Sequence, residues 1–274
     1  MMTTTPHLIT ESNISTAWAR AFLHAHDGAD DALVVAIRGF DEDLPAQNAL
    51  ISSELDTQLS KHEIPRIDQT ALTIVPYEKW LREGKISIEQ LTEWYIKSML
   101  PRLKARCVKN RHGTYFERLV SYTGTRVKDG LEERRTVNQL TYVTDFWKKK
   151  VSGANHSRPR QSALQLALFD PAKDDTGSAL CGFPCLQQIS FTYHEAGSLE
   201  VTAYYPTQYL FDRAYGNYLG LCQLGHVVAH SLGVKLTRFT CFTARPEVGK
   251  KVPDRAFIDL LRRYVAENSM GTSL

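Results

Sequence analysis

The sequence has no hydrophobic run of the roughly 18 to 20 residues that a membrane-spanning helix needs. Its N-terminus, MMTTTPHLITESN, has no basic start followed by an apolar stretch, so we expect no signal peptide. Cysteines are few: there are five, an odd number at irregular spacing, which is typical of free thiols in a reducing compartment. We therefore expect a cytoplasmic protein that does not associate with membranes.

Internal repeats, low-complexity segments and Ser-, Gly- or Pro-rich linkers are also absent from the 274 residues. The content of 43% hydrophobic and 23% charged residues is that of a globular protein, which excludes a collagen-like, coiled-coil or fully disordered chain. Since no linker divides the chain, we expect a flexible N-terminus over residues 1–13 and a single domain over residues 14–274.

The small net charge of +3 hides an uneven distribution along the chain. Between Lys97 and Arg160 there are sixteen basic and five acidic residues, and the stretch from Lys97 to Arg111 has six basic residues and no acid. Such a block favours anionic partners, which include phosphates, polycarboxylates and nucleic acid. The alternative is a solvated basic face that binds nothing.

Hydrophobic periodicity predicts an α+β domain. The predicted helices are 17–26, 87–100, 138–150, 214–232 and 254–268. The predicted strands are 32–37, 71–75, 164–169, 186–194, 199–205 and 235–244. The last two strands before the long apolar helix 214–232 are separated by Glu195-Ala196-Gly197-Ser198, which is a hairpin signal.

Residues 182–229 hold the most specific pattern in the chain. Pro184-Cys185 opens one predicted strand, Tyr204 lies near the end of the next, and Asn217 lies at the start of a helix that contains His226. Three shorter motifs accompany them: His112-Gly113-Thr114-Tyr115-Phe116, Asn138-Gln139-Leu140 and Phe169-Asp170-Pro171. The arrangement resembles the thymidylate synthase family over about residues 112 to 245, most closely between 184 and 229.

The resemblance implies a thymidylate-synthase-like single domain in which helices pack on a mixed sheet and two copies associate through their sheets. It implies a divergent transferase that adds a one-carbon unit, as methyl or hydroxymethyl, to C5 of a pyrimidine nucleotide or nucleoside through a covalent cysteine adduct. The cofactor that the resemblance implies is 5,10-methylenetetrahydrofolate.

The chemistry of that reaction fits the residue types. The C5 atom of a pyrimidine becomes nucleophilic only when a thiolate has added to C6, and cysteine both adds and leaves easily. By resemblance Cys185 is the nucleophile, Asn217 reads the O4 and N3–H edge of the base, and Tyr204 opens a substrate-binding motif. Glu93 is the candidate activating acid, with Glu78 and Glu89 equally available.

Each of these residues also has an ordinary structural interpretation. Cys185 could be an inert buried thiol, Asn217 a helix N-cap and His226 a core histidine. A metal site is a further alternative, although the spacing between the two cysteines is not that of a usual zinc motif. Its ligands would be Cys181, Cys185, His226 and His230.

The sequence departs from the family where substrate phosphate and folate are held. Pro206 stands at the place of the phosphate-binding Arg, and Tyr209 at the place of the Asp that contacts the pterin. An anionic substrate must therefore find other cations; the candidates are Arg213, Arg158, Arg160 and Arg118.

Two further functions stay open: a catalytically inactive protein that binds nucleotide or nucleic acid, and an enzyme that modifies a base within nucleic acid.

The homodimer has a sequence argument of its own. Strands 186–194 and 199–205 have apolar residues that we expect on both faces of the sheet, which would bury both faces and require a partner on one of them. These residues are Ile189, Phe191, Tyr193, Leu199, Val201 and Tyr204. Closed twofold symmetry is the commonest way to provide such a partner.

Overall fold

The computed structural model describes residues 5–41, 44–106, 110, 113–152, 160–175, 177, 184–194 and 197–269. They form a mixed α+β fold, which confirms the predicted class. The strands are β1 (His7–Glu11), β2 (Leu33–Ile37), β3 (Phe40–Asp41), β4 (Leu44–Pro45), β5 (Tyr122–Lys128), β6 (Leu131–Val137), β7 (Gln165–Ala167), β8 (Gln188–His194), β9 (Ser198–Tyr209) and β10 (Lys235–Glu247). The helices are α1 (Ile14–His26), α2 (Ala49–Lys61), α3 (Ile67–Leu72), α4 (Tyr77–Arg82), α5 (Ile88–Trp94), α6 (Leu100–Arg106), α7 (Tyr115–Val120), α8 (Gln139–Ser152), α9 (Pro171–Asp174), α10 (Tyr215–Leu232) and α11 (Arg255–Ser269).

The main sheet has six strands in the order β1-β2-β10-β9-β8-β7. The pairs β1–β2 and β9–β10 are parallel and the other neighbours are antiparallel. Each parallel pair is joined through one helix, α1 or α10, so the sheet contains two βαβ units. Because the two units run in opposite directions and crossovers are right-handed, both helices lie on the same face of the sheet. In agreement, α1 and α10 contact each other and the central strand β10.

Helix α10 is the centre of the fold. Every residue from Tyr215 to Ala229 is buried, because α10 packs on β9 and β10 and is also contacted by α1, α3, α4 and α8. A helix that is apolar all round is buried all round, which explains why the predicted helix 214–232 was correct. It ends at Gly233, whose φ of 69° is a left-handed conformation that glycine adopts without strain. In the described part of the chain, no helix combines the length and apolarity that crossing a bilayer requires.

The predicted strand at 71–75 is wrong. Residues Ile67–Leu72 form α3, which packs against α10, and a turn follows. Ala71, Ile74 and Val75 are buried at helical spacing in the core. A short apolar run does not distinguish a buried strand from a buried helical turn, and here contact with α10 decides.

The N-terminal segment also differs from its prediction. Residues 1–13 were expected to be flexible, but His7–Glu11 form the edge strand β1, which pairs with β2 from His7 opposite Leu33 to Glu11 opposite Ile37. Only Ile9 of this strand is buried, so its apolar signal in the sequence is weak. The pairing with β2 therefore orders a stretch that is mostly polar.

The distribution of apolar residues between the two faces of β8 and β9 also differs from the prediction. Ile189, Phe191, Leu199 and Val201 all lie on the buried face, because they occupy matching positions in the β8–β9 register. Of the six residues expected to cover both faces, only Tyr204 lies on the other face, where it is half-buried. The expected apolar character of both faces is therefore wrong for these two strands.

We predict that Gly216→Ala destabilises the fold. A Cβ at Gly216 would lie 2.6 Å from the Cβ of Thr70 and 2.8 Å from the backbone oxygen of Ile67, and backbone cannot swing away. Overpacking costs about 1–3 kcal/mol, which exceeds the gain of up to about 1 kcal/mol in helix propensity. Gly124→Ala is the control, since its nearest atom would lie at 3.5 Å. Chemical denaturation measures both variants, and equal stability of Gly216→Ala and the parent would contradict the packing argument.

Candidate functional site

Cys185 lies just before β8, where the chain is held at the end of the sheet. The backbone N–H of Gln187 donates to the carbonyl oxygen of Tyr204 at 3.1 Å, and the oxygen of Gln187 accepts from Leu168 N–H at 2.9 Å. These two hydrogen bonds fix the backbone two residues after the cysteine, while the Cys185 residue itself is exposed. Cys185 is therefore not a buried residue, and its reactivity stays a prediction.

Tyr115, the first residue of α7, lies against the same segment. Its pKa is raised, first by burial and then by the nearby Cys185 thiol, while hydrogen bonds from the Leu186 and Cys185 backbone lower it. The charge of Arg213 also lowers the pKa of Tyr115. Tyr115, Cys185 and Arg213 are therefore neighbours, although α7, β8 and the start of α10 are far apart in sequence.

Arg213 lies in a π-helical turn, Leu210–Ala214, that leads directly into α10. Its guanidinium is half-buried and lies 3.5 Å from the hydroxyl of Thr70. Burial raises the pKa of the Cys185 thiol, and the positive charge of Arg213 opposes that increase. The thiol is therefore mostly protonated at neutral pH, and Arg213 is the group that favours its thiolate form.

Asn217 follows Arg213 by four residues, across the junction between the π-helical turn and α10. It is the third residue of α10, which continues without interruption from the π-helical turn, so the interpretation of Asn217 as an N-cap is wrong. Asn217 is only 4% exposed.

Tyr204 does not lie with this group. It is on the face of the sheet opposite α10, where its ring stacks on Phe242 with centroids 5.7 Å apart. The next residue, Tyr205, faces the interior instead, and its pKa is raised by burial and further by Tyr115 and Cys185. The structure therefore places Tyr205, not Tyr204, beside the cysteine.

Two buried donors of β9 have no partner among the described residues: the hydroxyl of Tyr205, which lies beside Cys185, and the Nε2 amide of Gln208, whose oxygen contacts Tyr218, a neighbour of Tyr205. The oxygen of Gln208 is occupied, because it accepts from the hydroxyls of Tyr218 at 3.2 Å and Thr243 at 3.1 Å. An unpaired buried polar group costs about 1–3 kcal/mol, so both donors are places where a polar ligand group would be stabilising. We call Tyr115, Cys185, Tyr205, Gln208, Arg213 and Asn217 the Cys185 site.

The candidate acid Glu93 lies elsewhere. It is exposed on α5 and forms an ion pair of 2.6 Å with Lys97, whose hydrogen bond lowers the pKa of the Glu93 carboxyl. Glu78 and Glu89 are exposed too. No contact among the described residues joins any of the three to Cys185.

The remaining cation candidates are also separate from the site as described. Arg118 is held by Asp174 through hydrogen bonds of 2.6 and 2.7 Å and by the backbone oxygen of Leu168. Arg160 is exposed just before the 3₁₀ turn Gln161–Ala163. Arg158 lies outside the described residues. Among the three described candidates, Arg213 is the one that the structure brings to Cys185.

His226 is a core histidine, which was one of its two interpretations; the other was a metal ligand. Its Nδ1 is 2.6 Å from the Tyr77 hydroxyl, and its ring packs edge-on against Trp80. It is therefore a paired core histidine of α10. Cys181 lies outside the described residues, and the described members of the suggested metal site, Cys185, His226 and His230, do not form a cluster of ligands.

Sequence reasoning missed three members of the Cys185 site. Tyr115 lies in a motif that the sequence analysis noted, but nothing in the spacing shows that its ring reaches β8. Tyr205 is adjacent to the residue that was chosen, and a shift of one residue in a strand changes the face. Gln208 has no signal beyond being a polar residue in an apolar strand.

Comparison of the chain with models of protein families and with curated proteins finds no match in either.

We predict that iodoacetamide labels Cys185 and leaves the buried Cys222 and Cys241 unmodified. Because burial raises the pKa of the Cys185 thiol, its labelling rate should still be rising at a pH where an ordinary exposed thiol is already ionised. Arg213→Ala should slow labelling at pH 8 roughly two- to fivefold, as expected for loss of a partly screened charge, and Arg213→Lys should not. Peptide mass spectrometry gives the rates, and faster labelling in Arg213→Ala would contradict the electrostatic role.

Proposed function

We propose that the protein is a divergent thymidylate-synthase-like transferase that adds a one-carbon unit to C5 of a pyrimidine nucleotide through a Cys185 adduct. The observation that carries the proposal is that the exposed Cys185 and the guanidinium of Arg213 lie close together, and that the helix following Arg213 buries Asn217. Each comes from a different position in the motif that resembles the family, and the fold brings at least Cys185 and Arg213 together.

The proposed reaction uses the thiol as a reversible nucleophile. The Cys185 thiolate adds to C6, and the ring electrons move to C5 and O4, so that C5 can form a bond to the one-carbon unit. The carbon would come from a donor at the formaldehyde oxidation level, whose carrier leaves when C5 loses its proton, so that an exocyclic methylene stays on C5 while Cys185 is still bound to C6. Hydride from a two-electron reductant, or water with loss of a proton, would then add to that methylene as the Cys185 thiolate leaves C6, which restores the ring and gives a methyl or a hydroxymethyl group.

The other members of the site have matching roles. The amide of Asn217 provides one donor and one acceptor, which is the complement of the O4 and N3–H edge of uracil. The unpaired donors of Tyr205 and Gln208 are available to stabilise negative charge that develops on the ring. Arg213 can hold an anionic group of the substrate and favour the thiolate at the same time, since its charge acts on Cys185.

The residues of this chain do not match those with which the thymidylate synthase family binds folate. The place of the pterin-binding Asp is taken by Tyr209, a half-buried phenol at the end of β9. The nearest buried carboxylate, Asp212, is packed against backbone: a Cβ at Gly249 would lie 2.4 Å from its Oδ1. The roles proposed here therefore end at the nucleotide, and 5,10-methylenetetrahydrofolate enters only as a reagent in the test.

One observation favours a second function, that of a protein that binds a nucleotide or nucleic acid without catalysis. The pKa of Cys185 is raised rather than lowered, whereas reactive cysteines usually have a lowered pKa. The exposed position of Glu93 favours the same alternative.

The dimer is a further part of the proposal. On the sheet face opposite α10, Leu8, Val34, Phe242, Tyr204 and Gln188 lie directly opposite one another across five strands. A second row on this face consists of Thr10, Ala36, Thr240, Thr202 and Ser190. The first row is apolar except for Gln188, and the second consists of small side chains; both suit close packing of a second sheet, so a second copy of the chain is the proposed partner.

We expect light scattering at micromolar concentration to give twice the mass of one chain. Phe242→Asp should convert the protein to monomers, because it places a charge in the middle of the apolar row. Val127→Asp is the control, since Val127 is 71% exposed on the β5–β6 hairpin, outside the sheet. A monomeric parent protein would exclude the dimer.

The reaction itself is tested by trapping. Incubation with 5-fluoro-2′-deoxyuridine 5′-monophosphate and methylenetetrahydrofolate should give a covalent adduct on Cys185, since fluorine cannot leave C5 as a proton does. Cys185→Ala should abolish the adduct and turnover with little change in Tm, whereas Cys222→Ala should retain both. Mass spectrometry of the intact protein and its peptides identifies the site.

Binding of the 5′-monophosphate is compared with binding of the corresponding nucleoside to find which Arg holds the phosphate group. If the monophosphate binds more tightly than the nucleoside, Arg213→Ala should remove most of that difference, about one to two orders of magnitude. The double variant of Arg158 and Arg160 to Ala is the comparison. Tight binding of the monophosphate without any adduct would favour the non-catalytic function.

A further inference from the structure

Three metal-ligating side chains meet at the end of the first βαβ unit, away from the Cys185 site. His7 is the first residue of β1, His24 lies in the last turn of α1, and Asp31 lies in the connection to β2. One ligand atom from each residue lies within 4.8 Å of the other two. The distance from His24 Nε2 to Asp31 Oδ1 is 3.1 Å, and the two imidazole rings stack at 3.8 Å.

The donor set is that of a transition-metal site. Two imidazoles and one carboxylate, with a water in the fourth position, are a common set for zinc, while calcium and magnesium prefer oxygen donors alone. Zinc bonds of 2.0–2.1 Å in a tetrahedral arrangement place ligand atoms about 3.3 Å apart. The His24–Asp31 separation already has nearly this value, so only the position of His7 must adjust.

An ordinary ion pair between His24 and Asp31 does not explain why His7 lies beside them. His24 and Asp31 are sufficient for a salt bridge, and stacking a second imidazole on His24 is unfavourable when both rings are charged. A metal ion accounts for His7 as well, because its ligand atom lies within 4.8 Å of those of His24 and Asp31 and can provide a further nitrogen lone pair.

We propose that His7, His24 and Asp31 form a Zn²⁺ site that joins the start of β1, the end of α1 and the approach to β2. The stacked rings must open so that both nitrogen lone pairs point at the ion. His7 is exposed on an edge strand, where its side chain has room to turn. The bound ion would fasten the mostly polar strand β1 to the helix that follows it.

Equilibrium dialysis tests the site on the full-length protein. After treatment with a chelator and its removal, the parent protein should bind one more equivalent of Zn²⁺ than His7→Ala or Asp31→Asn, measured by elemental analysis. His26→Ala is the matched control, because His26 is on the same helix but pairs with Asp27 outside the cluster. Cys185→Ala is a second control, which separates this site from zinc bound by the exposed thiol.

Thermal unfolding gives an independent readout. With Zn²⁺ at about 100 times its Kd, the Tm of the parent and of both controls should rise by roughly 5 °C, and that of the two site variants should not. Equal zinc binding by the parent and His7→Ala, or an increase in Tm that survives in both site variants, would overturn the proposal. Because no substrate is present in these measurements, either outcome leaves the proposed reaction at Cys185 untouched.

Discussion

The burial of α10 on all sides is the constraint on which the rest of the structure depends. Because α10 has no exposed face, other elements pack against it on all sides. They approach it most closely where α10 has glycine. Helix α3 packs closely against Gly216 and Gly220, and the side chains of Val201 and Leu236 from the sheet pack closely against Gly225. The start of α10 is therefore held firmly, and it carries Arg213 and Asn217. Groups for binding and catalysis gain precision when rigid elements position them in this way.

The sequence predicted the elements whose pattern is long or strongly apolar. The helices α1, α8, α10 and α11 and the strands β2, β9 and β10 were all expected, because burial on one or all faces leaves a clear periodicity. The strand β1 and the β5–β6 hairpin were not expected. Their residues are mostly exposed, so the pairing of backbone groups determines their structure and leaves little trace in the side chains.

At the candidate site the sequence was informative about single residues and poor about their partners. Cys185, Arg213 and Asn217 come from one continuous motif, and the expected distance of about one turn between Arg213 and Asn217 agrees with the continuous helical backbone that joins them. Tyr115 reaches Cys185 only through the tertiary fold. The choice between Tyr204 and Tyr205 depends on the exact register of β9, and sequence alone does not fix register to one residue.

The π-helical turn between β9 and α10 has a consequence for how this region can change by insertion or deletion. A π-helical turn contains about one residue more than an α-helical turn, so Leu210–Ala214 sets the rotation of α10 about its own axis. Loss of that one residue would rotate the helix by about 100°. Gly216 would then turn away from α3, and larger side chains would meet Thr70 and Ile67 in its place. The length of this turn is thus coupled to the whole glycine pattern of the helix, so neither can change alone.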